Sequence, residues 1–225
     1  MPLWIGGHSE RIARVRDLLT TKGRREQGRF AFEGPTLLDE AIASKAELLE
    51  IYATERAFAS NPALGQLDAL GTGVFLMDER VAAKISDLET PTGLVTVATM
   101  RYAPLRDILE GRLTLILADL NDPGNAGTLM RSAEAFGASG AVFGRFGVDP
   151  YHPKVVRGSM GAIFRLPVAV ANPDDLVPEF AGRGLRVIGL SAAGEPLAPA
   201  AFAGTSALVV GHERHGLGTW EALCT

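Results

Sequence analysis

The sequence predicts a two-domain α/β protein. Short apolar runs typical of strands alternate with helical patterns along the chain. The 225 residues, of which 47% are hydrophobic, can bury one large core or two modest ones. Pro104 interrupts this alternation of strands and helices shortly after Tyr102, and we place the domain boundary there. We therefore expect one domain over residues 1–105 and another over residues 106–225.

The first half predicts a small layered domain in which strands and helices alternate. Apolar runs rich in β-branched and aromatic residues predict strands over residues 30–32, 48–53, 74–77 and 94–98. Helices are expected over residues 35–43 and 79–85, and Pro35 suits the first turn of the former.

The second half predicts a further α/β sheet. Residues 113–118 form a nearly all-apolar run, typical of a buried parallel strand. Leu129, Ala133 and Phe136 then recur at the spacing of a helix stripe that faces a core. Further strands are expected over residues 141–143, 166–170, 185–190 and 207–210, with a helix over residues 174–182. Residues 192–203, rich in Ala and Pro, are predicted to form a loop.

A compact polar loop joins the 113–118 strand to the helix that follows it. This loop reads N-D-P-G-N-A-G over residues 121–127, and Arg131 lies just beyond it. Open α/β sheets bind ligands beyond the carboxyl ends of their strands, so the loop is a candidate site. Asn125 is interpreted either as a site residue or as the N-cap of the helix. Arg131 is expected to point away from the core, either into solvent or into a site.

A cluster of basic residues lies near the start of the chain. Seven of the 22 basic residues lie between Arg11 and Arg29, while neighbouring apolar residues keep helical spacing. A solvated helix face is one interpretation. The other is RNA binding, with Gly23 and Gly28 letting a loop follow a phosphate backbone. We favour the latter, and the candidate RNA-binding residues are Arg16, Lys22, Arg24, Arg25 and Arg29.

Composition excludes several classes of function. The net charge of −4 and the pI near 5.6 show no overall basic footprint, so any RNA contact must be local. The single cysteine, Cys224, excludes an internal disulfide framework, and no signal or membrane segment is visible, which predicts a cytoplasmic protein. No G-x-G-x-x-G motif opens a helix after a strand, and the four histidines lack the spacing of a metal site.

Three sequence blocks, in order, carry a resemblance to a known family. They are N-D-P-G-N-x-G-x-x-x-R from Asn121 to Arg131, the segment from Lys154 to Pro167, and G-x-E-x-x-G-L from Gly211 to Leu217. Together they resemble the SpoU (TrmH-like) RNA ribose 2′-O-methyltransferases of the SPOUT superfamily. The K-x-R-x-x-x-G-x-F-x-x-E-G segment of residues 22–34 is similar to the opening of the RNA-substrate-binding domain found in many members.

The resemblance implies both a fold and an activity. The expected fold is a ribosomal-protein-like RNA-binding domain followed by a trefoil-knot methyltransferase domain, normally dimeric. The expected activity is transfer of a methyl group from S-adenosylmethionine to a ribose 2′-hydroxyl of structured RNA, ribosomal rather than transfer RNA. Arg131 and Asn125 match the catalytic positions of the first block. The matching cofactor-binding positions are Gly211, Glu213, Gly216 and Leu217.

The chain also departs from the family pattern. The third motif, I-P-M followed by S-L-N, is absent from the sequence through Thr225, and His212 stands where Ser or Asn is usual. We therefore expect the given sequence to be a truncated form, with an incomplete knot and weak or no binding of S-adenosylmethionine. The alternative is a non-catalytic RNA-binding or assembly protein that retains the fold without a complete cofactor site.

Overall fold

The computed structural model describes residues 2–191, 194–196 and 204–225. The chain divides into two compact units. The first contains Met1–Met100 with Tyr151–Pro153, and the second contains Arg101–Pro150 with Lys154–Thr225. Most of the loop predicted over residues 192–203 lies outside the described residues.

The first unit is built on a five-stranded mixed sheet. Its strands are β1 (Leu3–Trp4), β2 (Arg29–Glu33), β3 (Leu48–Thr54), β4 (Gly73–Met77) and β5 (Leu94–Thr99). Their order is β1-β4-β3-β5-β2, with β1, β4 and β3 parallel and β5 antiparallel to both β3 and β2. The four strands predicted here are confirmed, whereas the two-residue edge strand β1 was too short to predict.

Short helices cover this sheet. They are α1 (Glu10–Asp17), α2 (Thr21–Gln27), α3 (Pro35–Ala43), α4 (Glu55–Ala59), α5 (Ala63–Ala69) and α6 (Glu79–Ile85). Four of them begin after a Ser, Thr or Asp whose side chain accepts a hydrogen bond from a first-turn N–H, the usual N-cap. Apolar side chains of α1 and α6 pack on one face of the sheet, around the buried Tyr52. The predicted α3 and α6 are confirmed with their bounds.

The basic cluster agrees with the prediction only in its first half. Its apolar residues at helical spacing lie in and just after α1, but Gly23, expected in a loop, lies inside α2, where a Cβ atom would come within 2.2 Å of the Asp17 carbonyl oxygen. The Arg24 side chain is fully buried and donates to the Leu18 carbonyl oxygen (2.8 Å) and to Thr21 Oγ1 (3.1 Å). The prediction that Arg24 contacts RNA is therefore wrong, because its guanidinium group holds the end of α1 against α2.

The remaining RNA-binding candidates lie nearer the surface. Arg16, Lys22 and Arg25 are exposed and Arg29 is half-buried. Lys22 lies 3.7 Å from Glu26 on the same helix, an exposed pair that contributes little to stability. These four side chains stay predicted contacts.

The second unit is built on a five-stranded parallel sheet. Its strands are β6 (Leu113–Leu117), β7 (Gly140–Gly144), β8 (Val168–Ala171), β9 (Arg186–Leu190) and β10 (Ser206–Val210). Their order is β8-β7-β6-β10-β9, and every neighbouring pair is parallel. The predicted parallel strand at 113–118 is therefore confirmed as the central strand, β6, buried over four of its five residues.

The helices of the second half are α7 (Leu105–Leu109), α8 (Pro123–Ala135), α9 (Pro153–Gly158), α10 (Ala162–Arg165), α11 (Pro173–Phe180) and a final 3-10 helix (Gly218–Leu223). The core of this unit includes Ile116 of β6, Val209 of β10 and Trp220 of the 3-10 helix. Among the described residues no helix is both long and apolar enough to cross a membrane.

The core-facing stripe of α8 also differs from the prediction. Ala126, Gly127, Met130 and Ala133 are the buried residues of this helix. Phe136, predicted to face the core, is 81% exposed because it follows the last helical residue and forms the C-cap. The helix was predicted correctly, but its buried face is rotated from the predicted one.

Candidate active site

The sheet topology brings the first and third sequence blocks to one edge. The strands β6 and β10 are hydrogen-bonded neighbours, and Val210 is paired with Leu117. Because the two strands are parallel, their carboxyl ends lie together, and the loops that follow them meet at the same edge. One loop leads into α8, and the other contains residues 211–217.

The start of α8 is set by Asp122 and Pro123. Asp122 is the N-cap, and its Oδ1 accepts a hydrogen bond from the Asn125 N–H at 2.7 Å. Pro123 occupies the first turn, where its missing N–H costs nothing. The interpretation of Asn125 as the N-cap is therefore wrong, and its side chain is left available for another partner. The Asp-Pro pair was the signal that could have identified the cap from sequence.

That partner is Glu213. Asn125 Nδ2 donates to Glu213 Oε1 at 2.9 Å, a contact between residues 88 positions apart. This hydrogen bond is the main reason that the pKa of Glu213 lies below its ordinary value, and a backbone N–H lowers it further. The structure thus brings together one predicted catalytic residue and one predicted cofactor-binding residue and keeps the carboxylate ionised.

The loop of residues 211–217 is a tight hairpin. The His212 N–H donates to the Gly216 carbonyl oxygen and the Gly216 N–H to the His212 carbonyl oxygen, both at 2.9 Å. A Cβ atom at Gly211 would come within 2.2 Å of the Gly216 oxygen, so only glycine fits there. Leu217 is buried in the core and anchors the loop. All four predicted cofactor-binding residues therefore belong to one ordered hairpin.

His212 adds a polar face to this hairpin. Its Nδ1 accepts a hydrogen bond from the Arg214 N–H at 3.0 Å and lies 3.8 Å from Glu213 Oε2. The His212 and His215 rings lie 4.6 Å apart at 47°.

Arg131 lies two turns further along α8 and is exposed, as predicted. Six residues separate it from Asn125, which corresponds to about 9 Å along the helix axis. Within the described part of the chain it has no hydrogen-bond or ion-pair partner. The structure does not bring Arg131 into contact with Asn125 or Glu213, and a substrate would have to join them.

The second sequence block supports α8 from behind. An added Cβ atom at Gly127 would lie 2.7 Å from the Val155 oxygen and 2.8 Å from the Gly158 Cα atom. The helices α8 and α9 therefore approach at backbone distance. Arg165 holds the other end of α8, because its guanidinium group donates to the Glu134 carboxylate.

Asp119 and Trp220, two residues that the sequence analysis missed, stabilise the sheet edge at the carboxyl end of β6. Asp119, just after β6, adopts a left-handed backbone conformation (φ 51°). Its carboxylate accepts from Trp220 Nε1 at 2.9 Å and from the Phe146 N–H at 3.2 Å. It thus ties the end of β6 to the 3-10 helix that follows the hairpin and to the loop after β7. Within the described ranges, no cluster of three His, Cys, Asp or Glu residues could hold a metal ion.

Comparisons with known proteins agree with this geometry. The SpoU rRNA methylase family matches residues 112–223, and the MRM3-like substrate binding domain matches residues 9–96. An uncharacterized tRNA/rRNA methyltransferase of Synechocystis is 34% identical over 79% of this chain and 65% of its own length. The 23S rRNA (guanosine(2553)-2′-O)-methyltransferase RlmP of Bacillus subtilis is 27% identical over 93% of this chain and 82% of its own length.

Solved structures show the same architecture. The AdoMet-bound rRNA methyltransferase from Sinorhizobium meliloti superimposes with a TM-score of 0.85 at 28% identity, covering 98% of this chain and 85% of that one. The sequence motifs, the parallel sheet and both family matches identify the same group of proteins. This chain belongs to the SpoU (TrmH-like) RNA methyltransferase family and carries an MRM3-like substrate-binding domain ahead of the catalytic one.

Proposed function

We propose that this protein methylates a ribose 2′-hydroxyl of ribosomal RNA, with S-adenosylmethionine as the methyl donor. The observation that carries the proposal is the hydrogen bond between Asn125 and Glu213, which joins the first and third family blocks at one sheet edge. The name of the Bacillus relative and the AdoMet-bound Sinorhizobium structure support the substrate and the cofactor.

The hairpin of residues 211–217 fits the proposed cofactor. Gly216 and Gly218 have left-handed backbones (φ 65° and 54°), and a Cβ atom at either glycine would meet no heavy atom within 4 Å. The backbone is therefore open on that side, where a ligand can approach its polar groups. Gly211, Gly216 and Leu217 would hold the cofactor through the backbone. Glu213 would orient the hairpin through Asn125.

The proposed chemistry is an in-line displacement at carbon. Bound S-adenosylmethionine would supply a methyl group on a sulfonium sulfur, and the ribose oxygen would take that methyl group in place of its hydroxyl proton, which would pass to solvent water. Arg131 is a poor base because an arginine side chain stays protonated in water. We therefore assign it to positioning the hydroxyl and a neighbouring phosphate and to stabilising the charge that develops on oxygen.

The two domains divide the work in this proposal. Residues 1–105 bind RNA through Arg16, Lys22, Arg25 and Arg29, and residues 106–225 bind the cofactor and transfer the methyl group. The match of residues 9–96 to a substrate-binding domain supports this division. From the family resemblance we also propose a homodimer and a cytoplasmic location.

Methyl transfer from labelled S-adenosylmethionine tests the proposal. Wild-type protein extended through the third motif should label ribosomal RNA from cells that lack the gene, and the product should resist alkaline cleavage at one nucleotide. Arg131→Ala should lower the rate by orders of magnitude without changing thermal stability, because the exposed guanidinium makes no contact that stabilises the described fold.

Arg106→Ala is the matched control. Arg106 is exposed in the same unit and pairs only with its neighbour Asp107 among the described contacts, so its loss should leave the rate unchanged. Labelling of transfer RNA in place of ribosomal RNA would change the proposed substrate. RNA binding with no methyl transfer to either RNA would support the non-catalytic alternative.

A further inference from the structure

A cleft of about 430 Å³ opens in the first unit between α1 and α6. Its lining includes three basic side chains, His8, Arg16 and Lys84, and no Asp or Glu. Residues 1–100 carry 14 Asp and Glu against 11 Lys and Arg. A purely basic cleft is therefore an exception on an acidic domain.

The basic side chains of this cleft have no partners. Elsewhere in the unit, Arg11 pairs with Glu50, Lys22 with Glu26 and Arg56 with Glu79. Across the described residues, His8, Arg16 and Lys84 form neither a hydrogen bond nor an ion pair through their side chains. The charges of Arg16 and Lys84 are therefore available to a ligand.

The backbone around the cleft adds to this potential. Ser9 caps α1 by accepting from the Arg11 N–H, so the positive end of that helix dipole lies at the cleft. A Cβ atom at Gly7 would come within 3.1 Å of Lys84 Nζ. The glycine thus lets the ammonium group of α6 lie against the backbone that leads into α1, near Arg16.

We propose that this cleft binds a phosphate of the RNA backbone, with Arg16 and Lys84 as the charged contacts and His8 as a hydrogen-bond donor. The inference rests on the proposed function, because it concerns the same RNA. The ligand class follows from the chemistry of the lining, since convergent cations without a carboxylate select an anion.

The cleft is distinct from the α2 residues of the family motif at residues 22–34. Lys84 lies in α6, about 60 positions along the chain from Lys22, and no sequence pattern joined it to the basic cluster. If the cleft holds a phosphate, the RNA path includes the α1–α6 face.

Salt-dependent RNA binding tests the inference. The double variant Arg16→Gln/Lys84→Gln should weaken binding of ribosomal RNA roughly tenfold at moderate salt. It should also lower the slope of log K against log salt by about one unit, because fewer counterions are released. The KM for RNA should rise while kcat and cofactor affinity stay unchanged, since both residues lie outside the catalytic unit.

Lys45→Gln/Arg56→Gln is the matched control, because it removes two exposed charges from the same unit away from the cleft. Both double variants should melt at the wild-type temperature. Lys84→Arg in place of Lys84→Gln should restore most of the binding. An RNA affinity and salt slope equal to those of the control variant would overturn the inference.

The two proposals fail in different ways. Methyl transfer by wild type, combined with unchanged RNA binding in the Arg16/Lys84 variant, overturns only the phosphate cleft. RNA binding that depends on the cleft, without methyl transfer, overturns only the proposed activity.

Discussion

Replacing Trp220 by Phe should destabilise the second unit without changing its fold. Trp220 is 1% exposed, and its Nε1 donates to Asp119 Oδ2 at 2.9 Å. Phenylalanine retains most of the apolar contact but removes the donor. Asp119 then keeps only one of its two hydrogen-bond partners, the Phe146 N–H.

The expected loss follows from two contributions. A hydrogen bond to a charged group contributes about 1.5–3 kcal/mol, and Asp119 is half-buried, which favours the lower end. The smaller ring leaves a gap that costs about 1 kcal/mol more. We therefore expect the free energy of unfolding of the second unit to fall by about 2.5–4 kcal/mol.

Urea unfolding followed by circular dichroism measures this change. Trp4→Phe is the matched control, because the only other tryptophan is 51% exposed and the same substitution there should cost under about 0.5 kcal/mol. Asp119→Asn keeps a residue that tolerates the left-handed backbone but offers one acceptor oxygen in place of two. The double variant should lose less than the sum of the single ones.

Equal stability of Trp220→Phe and Trp4→Phe would refute the reasoning. So would strict additivity with Asp119→Asn, because two residues joined by a hydrogen bond must show coupling.

Two further predictions concern the support and the charge of the site. Gly127→Ala should destabilise the second unit by about 1–3 kcal/mol in urea unfolding, because the added methyl group would meet the backbone of Val155 and Gly158, and this overpacking outweighs the helix-propensity gain of about 1 kcal/mol. In the control Gly65→Ala, the new Cβ atom in α5 meets nothing within 4 Å, so this substitution should stabilise the first unit. Stabilisation at both sites would contradict the close approach at Gly127. Asn125→Ala should raise the pKa of Glu213 toward its ordinary value, measured by an NMR titration of the side-chain carboxyl carbon. In the wild type the lowered pKa of Glu213 stabilises the fold above the unfolded-state pKa and that stability is lost as the pH falls through the folded pKa, so the variant should show less acid sensitivity. If Glu213 has the same pKa in the wild type and in the Asn125→Ala variant, the hydrogen bond from Asn125 is not the cause of the lowered pKa.

Local patterns predicted most of the secondary structure because each depended on neighbouring residues alone. The apolar run that became β6 is buried on both faces of a parallel sheet, so its composition indicated its place directly. Helix α3 was bounded correctly by Pro35 at its start. The three family blocks, read in order, likewise identified the family from residue types and spacing.

Errors arose where the burial of a residue depends on more than its residue type and helical spacing. Arginine usually lies at the surface, yet the Arg24 guanidinium group is buried and donates hydrogen bonds to the Leu18 carbonyl oxygen and the Thr21 hydroxyl group in place of water. Phe136 has the spacing of a core residue, yet the helix ends just before it and leaves it exposed. The spacing of apolar residues along the chain predicts neither the burial of Arg24 nor the exposure of Phe136.

By itself, the sequence indicated the family, most of the strands and several of the helices, and it supplied candidate residues for the site. Only the tertiary structure decided which of those residues meet. The bonds from Asn125 to Glu213 and from Trp220 to Asp119 join residues 88 and 101 positions apart. Both contacts exist because β10 enters the sheet beside β6, and the parallel pairing places the carboxyl ends of those two strands, with the loops that follow them, at the same edge.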